Sequence, residues 1–173
     1  MQTDLGKNHA LLREVISQHH PDFIDSVDLK RFAEQFPDMF DVPKLIEHTL
    51  AHVGGYDFVD EGGRDFNDPW NSDSKTATVI QDGRSLTAVI SSVENKIGSL
   101  RITVYNPFAG RVDYFYIPKR WVDRAKERCY GKSSYKEKLR IRYNQRGDHY
   151  NWFEDFRVDN FETLARTGDD CWQ

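Results

Sequence analysis

The sequence predicts an α/β fold of the α+β kind: N-terminal helices followed by a mainly antiparallel, mixed sheet flanked by helices. Three observations predict it. Apolar residues recur at helical spacing as far as Val53, the period changes to two from Tyr56 onward, and turn-forming clusters then interrupt the chain at hairpin intervals. At 173 residues the chain is expected to be a single domain: a helical part over 1–55, a sheet core with a basic segment over 56–146, and a tail with a short helix over 147–173.

The first helix is predicted over 5–19, where Leu5, Leu11, Leu12, Val15 and Ile16 share a face, and the second over 28–35. The third has the clearest boundaries. Asp41 suits an N-cap and Pro43 an early helical position; Ile46, Leu50 and Val53 form the stripe, and Gly54-Gly55 ends it. Strands follow over 56–60, 74–80, 86–93, 99–106 and 111–117. Gln81-Asp82-Gly83-Arg84 is a strong hairpin signal, Asn95-Lys96-Ile97-Gly98 a weaker one, and Asn106-Pro107-Phe108-Ala109-Gly110 a further turn. After Pro118, Trp121, Val122, Ala125 and Cys129 mark a helix; 138–143 reads as a strand and 159–166 as a short closing helix.

No apolar run approaches the roughly 18 residues of a membrane span, and the first residues show no signal-peptide core, so a cytoplasmic location and no membrane partner are expected. Cys129 and Cys171 stand far apart with no Cys-x-x-Cys pair, which points to free thiols. The net charge of -4 conceals an asymmetry: residues 96–146 hold 14 Lys or Arg against 4 Asp or Glu. Either this segment is a solvated basic face, or it tracks phosphates with Tyr105, Tyr114, Tyr116, Trp121, Tyr130, Tyr135 and Tyr143 interleaved. Lys96, Lys119, Arg120, Arg124 and Arg128 are the expected nucleic-acid contacts. Spacings of three and four place Arg120, Arg124 and Arg128 on one helix face.

The chemistry concentrates around Asp65, Asp73 and Lys75. Period-two alternation turns Asp73 and Lys75 to the same side of a strand, and Asp65 arrives from the preceding loop. Two carboxylates suit a hard cation such as Mg²⁺, which keeps several waters, and a lysine beside them can position a water or offset charge on a phosphate. The competing reading of Asp65, Asp68 and Asp73 is an Asx-turn loop, with Lys75 facing solvent. His48 and His52 stand four apart, the spacing of two zinc ligands, but without the intervening glutamate of a metalloprotease. Val53-Gly54-Gly55 and Glu61-Gly62-Gly63 lack the lysine of a phosphate-binding loop, and no Gly-x-Ser-x-Gly elbow is present.

With Glu47 on the third helix, Asp65 before a strand and Asp73-Ser74-Lys75 on it, residues 43–117 resemble the PD-(D/E)XK nuclease superfamily. The resemblance implies a restriction-endonuclease-like fold and a metal-dependent DNA endonuclease. Asp65 and Asp73 would hold Mg²⁺, with Mn²⁺ able to substitute; Lys75 would position the water and Glu47 would assist. Double-stranded DNA is the implied partner, and a homodimer is implied if both strands are cut. No proline precedes Asp65. A second register runs through Asp73, Glu94 and Lys96; it ranks below the first because Asn95-Lys96-Ile97-Gly98 reads as a turn, which would not hold both side chains on one face. Asp73 belongs to both registers. The alternative class is a non-catalytic nucleic-acid-binding or regulatory protein that works through the basic segment, with a protein-interaction module behind it.

Overall fold

Ile46, Leu50 and Ala51 are buried on one side of helix α1 (Val42–Gly54), and the helix stops where Gly55 takes a φ of 72°. The computed structural model describes residues 42–91, 93, 95–130, 138–144 and 152–172. The expected helices over 5–19 and 28–35, the Asp41 cap and Glu94 lie outside the described residues.

After α1 come β1 (Phe58–Glu61), β2 (Arg64–Phe66), β3 (Asp73–Thr78), β4 (Ile80–Asp82), β5 (Ser85–Ser91), β6 (Leu100–Asn106), β7 (Arg111–Ile117), helix α2 (Lys119–Tyr130), β8 (Lys138–Tyr143), a 3₁₀ turn (Trp152–Phe156), β9 (Arg157–Val158), helix α3 (Phe161–Arg166) and a last 3₁₀ turn (Asp169–Trp172). Asn160 caps α3, its side chain accepting from the Thr163 amide at 2.8 Å. The predicted strands and turns recur within a few residues. The Asp82-to-Ser85 hairpin has Gly83 at a φ of 61°, as its two-residue turn requires.

The α+β class is as expected, but the pairing of the strands differs. They form a two-stranded hairpin β1-β2, a mixed sheet in the order β3-β6-β7-β9, and an antiparallel sheet in the order β4-β5-β8. The expected β5–β6 hairpin does not form: β5 pairs with β8, and β6 runs parallel to β3 and antiparallel to β7. Burial explains this. Six of the seven β6 residues are buried, on both faces, so β6 needs an interior place that the edge of a hairpin cannot provide. Asp65, expected in a loop, lies on β2, whose turn through Gly62 and Gly63 uses φ values of 57° and 84°. That Gly-Gly pair was the available hairpin signal.

The mixed sheet is covered on both sides. Leu100, Ile102, Val104, Phe115 and Ile117 face Ala88, Ile90, Leu139 and Ile141 of the second sheet, while Tyr114 and Tyr116 pack with Ile46, Leu50, Phe161 and Leu164 of α1 and α3. The alternation that sends Ile102 one way sends Arg101 the other, into the helix-covered layer, where it is 1% exposed. Arg101 Nε donates to Ser72 Oγ at 2.9 Å, Nη2 to Asp68 Oδ2 at 2.8 Å, and Nη1 to the Leu164 and Thr167 carbonyls at 2.5 and 2.8 Å. Its guanidinium carbon lies 5.2 Å from the Tyr56 ring centroid and 4.9 Å from that of Tyr116.

Arg101→Ala is expected to destabilise the fold by about 3–5 kcal/mol, because it leaves Asp68 buried without its cation. Urea unfolding monitored by tryptophan fluorescence measures it. A loss under about 1 kcal/mol, the size of a surface ion pair, would contradict this account.

Candidate active site

Asp73 opens β3 and is 1% exposed, with its amide donating to the Ser99 carbonyl at 2.9 Å. Its carboxylate meets two amines: Lys96 Nζ donates to Oδ1 at 2.7 Å, and Lys75 Nζ lies 3.5 Å from Oδ2, which accepts no hydrogen bond from the described residues. Asp73 and Lys75 pair across β6 with Leu100 and Ile102, so they share one face, as the alternation predicts.

Asp65 reaches the same place from β2. Its Oδ2 accepts the Ser74 amide at 2.9 Å, which ties the carboxylate to the residue between Asp73 and Lys75. Burial and then the charge of Asp73 push the Asp65 carboxyl up to about 7, with Glu47 adding to the shift and the Ser74 amide and Lys96 opposing it. Glu47, on α1, is buried, and its Oε2 lies 2.9 Å from Lys44 Nζ. Burial raises its carboxyl above the ordinary value against the pull of Lys44, and the charges of Asp60 and Asp73 raise it further. For Lys96, burial works against the ammonium, yet the hydrogen bond and charge of Asp73 outweigh it and hold the group above the ordinary lysine value.

Lys96 sits on a turn, as predicted, and its ammonium reaches Asp73; the expectation that this turn would not hold Glu94 and Lys96 on one face falls on Glu94, outside the described residues. The turn is held from outside: the Ile97 amide donates to the Gly63 carbonyl at 3.4 Å and the Ser99 amide to the Trp70 carbonyl at 3.3 Å. Gly98 lies so close to the Trp70 and Asn71 carbonyls that a Cβ would stand 2.1 and 2.2 Å from them. These anchors aim Lys96 inward. Both lysines therefore converge on Asp73, with Lys96 the nearer; Glu94, the remaining member of its register, lies outside the described residues.

Asp68 follows the turn reading. It accepts the Ser72 amide at 2.8 Å, Ser72 Oγ at 2.6 Å and the Arg101 guanidinium, so it organises the loop over 67–72. His48 packs its ring 4.4 Å from that of Phe58 while His52 is exposed, and among the described residues no three His, Cys, Asp or Glu side chains are grouped to surround a metal ion.

The basic segment is not one surface. Arg101 is in the interior, Lys96 is in the acidic cluster, and Arg111 Nε donates to the buried Asp113 at 2.8 Å. Tyr114, Tyr116 and Tyr143 are buried in the two cores and give no stacking platform; Tyr135 lies outside the described residues. On α2, Lys119 pairs with Asp123 at 3.3 Å, Arg120 donates to the Trp172 carbonyl, and Arg124 lies 4.6 Å over the Trp121 ring. The Arg128 side chain lies outside the described residues. Sequence reading missed Ser99 and Asp169, which join the site to α2; their partners are 20 and more residues away, so no local pattern signals them.

No protein-family model, curated protein or solved structure matches this chain.

A carboxyl raised by folding stabilises the fold while protonated. The contribution of Asp65 is therefore complete below its unfolded value of about 4 and is lost as pH rises through about 7. Denaturation midpoints for wild type minus Asp65→Asn are expected to fall between pH 4.5 and 7.5; a flat difference would contradict the assignment.

Proposed function

We propose that this protein is a metal-dependent endonuclease that hydrolyses phosphodiester bonds in double-stranded DNA, related to the PD-(D/E)XK superfamily. The observation that carries the proposal is the convergence of Asp65, Asp73, Lys75 and Lys96 at the start of β3, with Glu47 near enough to be felt electrostatically.

The residues fit a divalent cation in two respects. Asp65 and Asp73 are buried and repel each other, which a cation between them would relieve, and Asp73 Oδ2 accepts no hydrogen bond from the described residues. Two carboxylates make the incomplete donor set that suits Mg²⁺ or Mn²⁺, with waters and phosphate oxygens supplying the rest. Asp65 and Asp73 would hold the ion, which when bound supplies charge to the phosphate and acidifies a water.

The side chains have distinct tasks. Lys96 fixes the orientation of Asp73 through its 2.7 Å hydrogen bond, and the Ser74 amide does the same for Asp65. Lys75, 19% exposed and 3.5 Å from Asp73, keeps N–H groups for an anionic oxygen or the attacking water. Glu47, held by Lys44, adds to the negative field around Asp73. Lys119, Arg120 and Arg124 begin at the same end of the sheet, since Asp73, Leu100 and Ile117 lie in one row across it. A duplex on the site would extend over α2. Cleavage of both strands would use two copies of the chain.

The expected result is Mg²⁺-dependent nicking or linearisation of plasmid DNA, stopped by EDTA and reduced at least 100-fold in Asp73→Asn while gel-shift binding persists. Lys96→Met and Lys75→Met then rank the two amines, with the larger loss expected for Lys96→Met. Salt-sensitive binding that needs no metal, with no cleavage of DNA or RNA, would instead assign a non-catalytic nucleic-acid-binding protein.

A further inference from the structure

The last 3₁₀ turn joins elements that the catalytic reading treats separately. Asp169 Oδ1 accepts from Ser99 Oγ at 2.5 Å and from Tyr116 OH at 2.8 Å, while Oδ2 accepts the Lys119 amide at 3.3 Å. The Lys119 amide also reaches Ser99 Oγ, at 3.1 Å. It is the first amide of α2, a donor with no partner inside its own helix. A carboxylate there both accepts that N–H and opposes the positive end of the helix dipole.

Ser99 is the other half of the connection. Its carbonyl accepts the Asp73 amide at 2.9 Å, so Asp73, Ser99, Asp169 and Lys119 form one hydrogen-bonded path from the acidic cluster to the basic helix. The turn is itself held firmly. Gly168 lies against the Trp70 indole so closely that a Cβ would stand 2.2 Å from Nε1, the Thr167 carbonyl accepts from Arg101, and Trp172 packs 5.4 Å from Phe156. The Trp172 carbonyl in turn accepts from Arg120.

We infer that Asp169 is a positioning residue that sets the basic helix α2 against the Asp73 site, so that one nucleic-acid backbone engages both. The inference rests on the nucleic-acid reading of that site. Asp169 touches no phosphate; it acts through the N-terminus of α2, and its turn acts through Arg120. Without the Oδ2 link, the Lys119 amide keeps only Ser99 Oγ as acceptor and the positive end of the helix loses its carboxylate, so Lys119, Arg120 and Arg124 keep their charges while their offset from the cluster is held less firmly.

Asp169→Asn is the discriminating variant. Its remaining carbonyl oxygen can still accept from Ser99 and Tyr116, whereas the amide that replaces Oδ2 cannot accept from Lys119. Binding of a 20-base-pair duplex in EDTA, where no cleavage occurs, is measured across a salt series for wild type, Asp169→Asn, Arg120→Ala/Arg124→Ala and the triple variant. The expected result is a roughly tenfold weaker Kd and a shallower salt dependence for Asp169→Asn, with no further loss when it is added to Arg120→Ala/Arg124→Ala. A purely structural role would weaken both backgrounds equally, and that outcome, or wild-type affinity in Asp169→Asn, would overturn the inference while leaving the nucleic-acid reading intact. Absence of duplex binding by the wild type at low salt would overturn both.

Discussion

A guanidinium moved out of water costs several kcal/mol unless its N–H groups find acceptors, and Arg101 finds four, from Asp68, Ser72, Leu164 and Thr167. Two acceptors belong to the loop that precedes β3 and two to the end of α3, so one side chain on a central strand joins segments nearly a hundred residues apart. The stack on Tyr56 and Tyr116 closes its faces. Replacing the charge requires repacking all of these elements at once, whereas removing it leaves Asp68 buried alone.

The candidate site inherits its geometry from this anchor. Asp68, held by Arg101, caps the loop over 67–72. The Trp70 carbonyl of that loop accepts the Ser99 amide, and the turn carrying Lys96 is pressed between Trp70, Asn71 and Gly63. Lys96 is thus aimed at Asp73 by backbone contacts, which a flexible side chain on a free turn would not have. The electrostatics follow from the same closeness. Beyond burial, the charge of Asp73 raises the proton affinity of Asp65 and of Glu47, while Lys96 opposes the shift at Asp65 and Lys44 that at Glu47. Such a cluster of buried like charges is costly to keep for stability alone.

The basic segment shows why charge counted along a chain and charge displayed in space differ. Of its cations, Arg101 organises the core, Lys96 serves the acidic cluster, and Arg111 neutralises a buried Asp113; the described helix α2 keeps Lys119, Arg120 and Arg124 at the surface. Among the described residues Arg142 of β8 is also exposed, and the outward basic helix has its first amide tied, through Asp169 and Ser99, to the strand end that bears Asp73.

The sequence by itself determined the α+β class, most of the described strand and helix positions, and the shared strand face of Asp73 and Lys75. These follow from periodicity, capping and turn chemistry, which act over a few residues. Tertiary structure decided the rest. Which strand lies beside β6 depended on how much of it had to be buried, a property of the whole core that alternation along one strand does not reveal. Asp65, Asp68 and Asp73 carry the same side chain within nine residues of turn-like sequence, yet Asp68 holds a loop while Asp65 and Asp73 form the cluster; the distant Arg101 and Lys96 made that division. Whether Lys75 or Lys96 stands closer to Asp73 could not be read locally, because the turn that aims Lys96 is shaped by Gly63 and Trp70, more than twenty residues upstream.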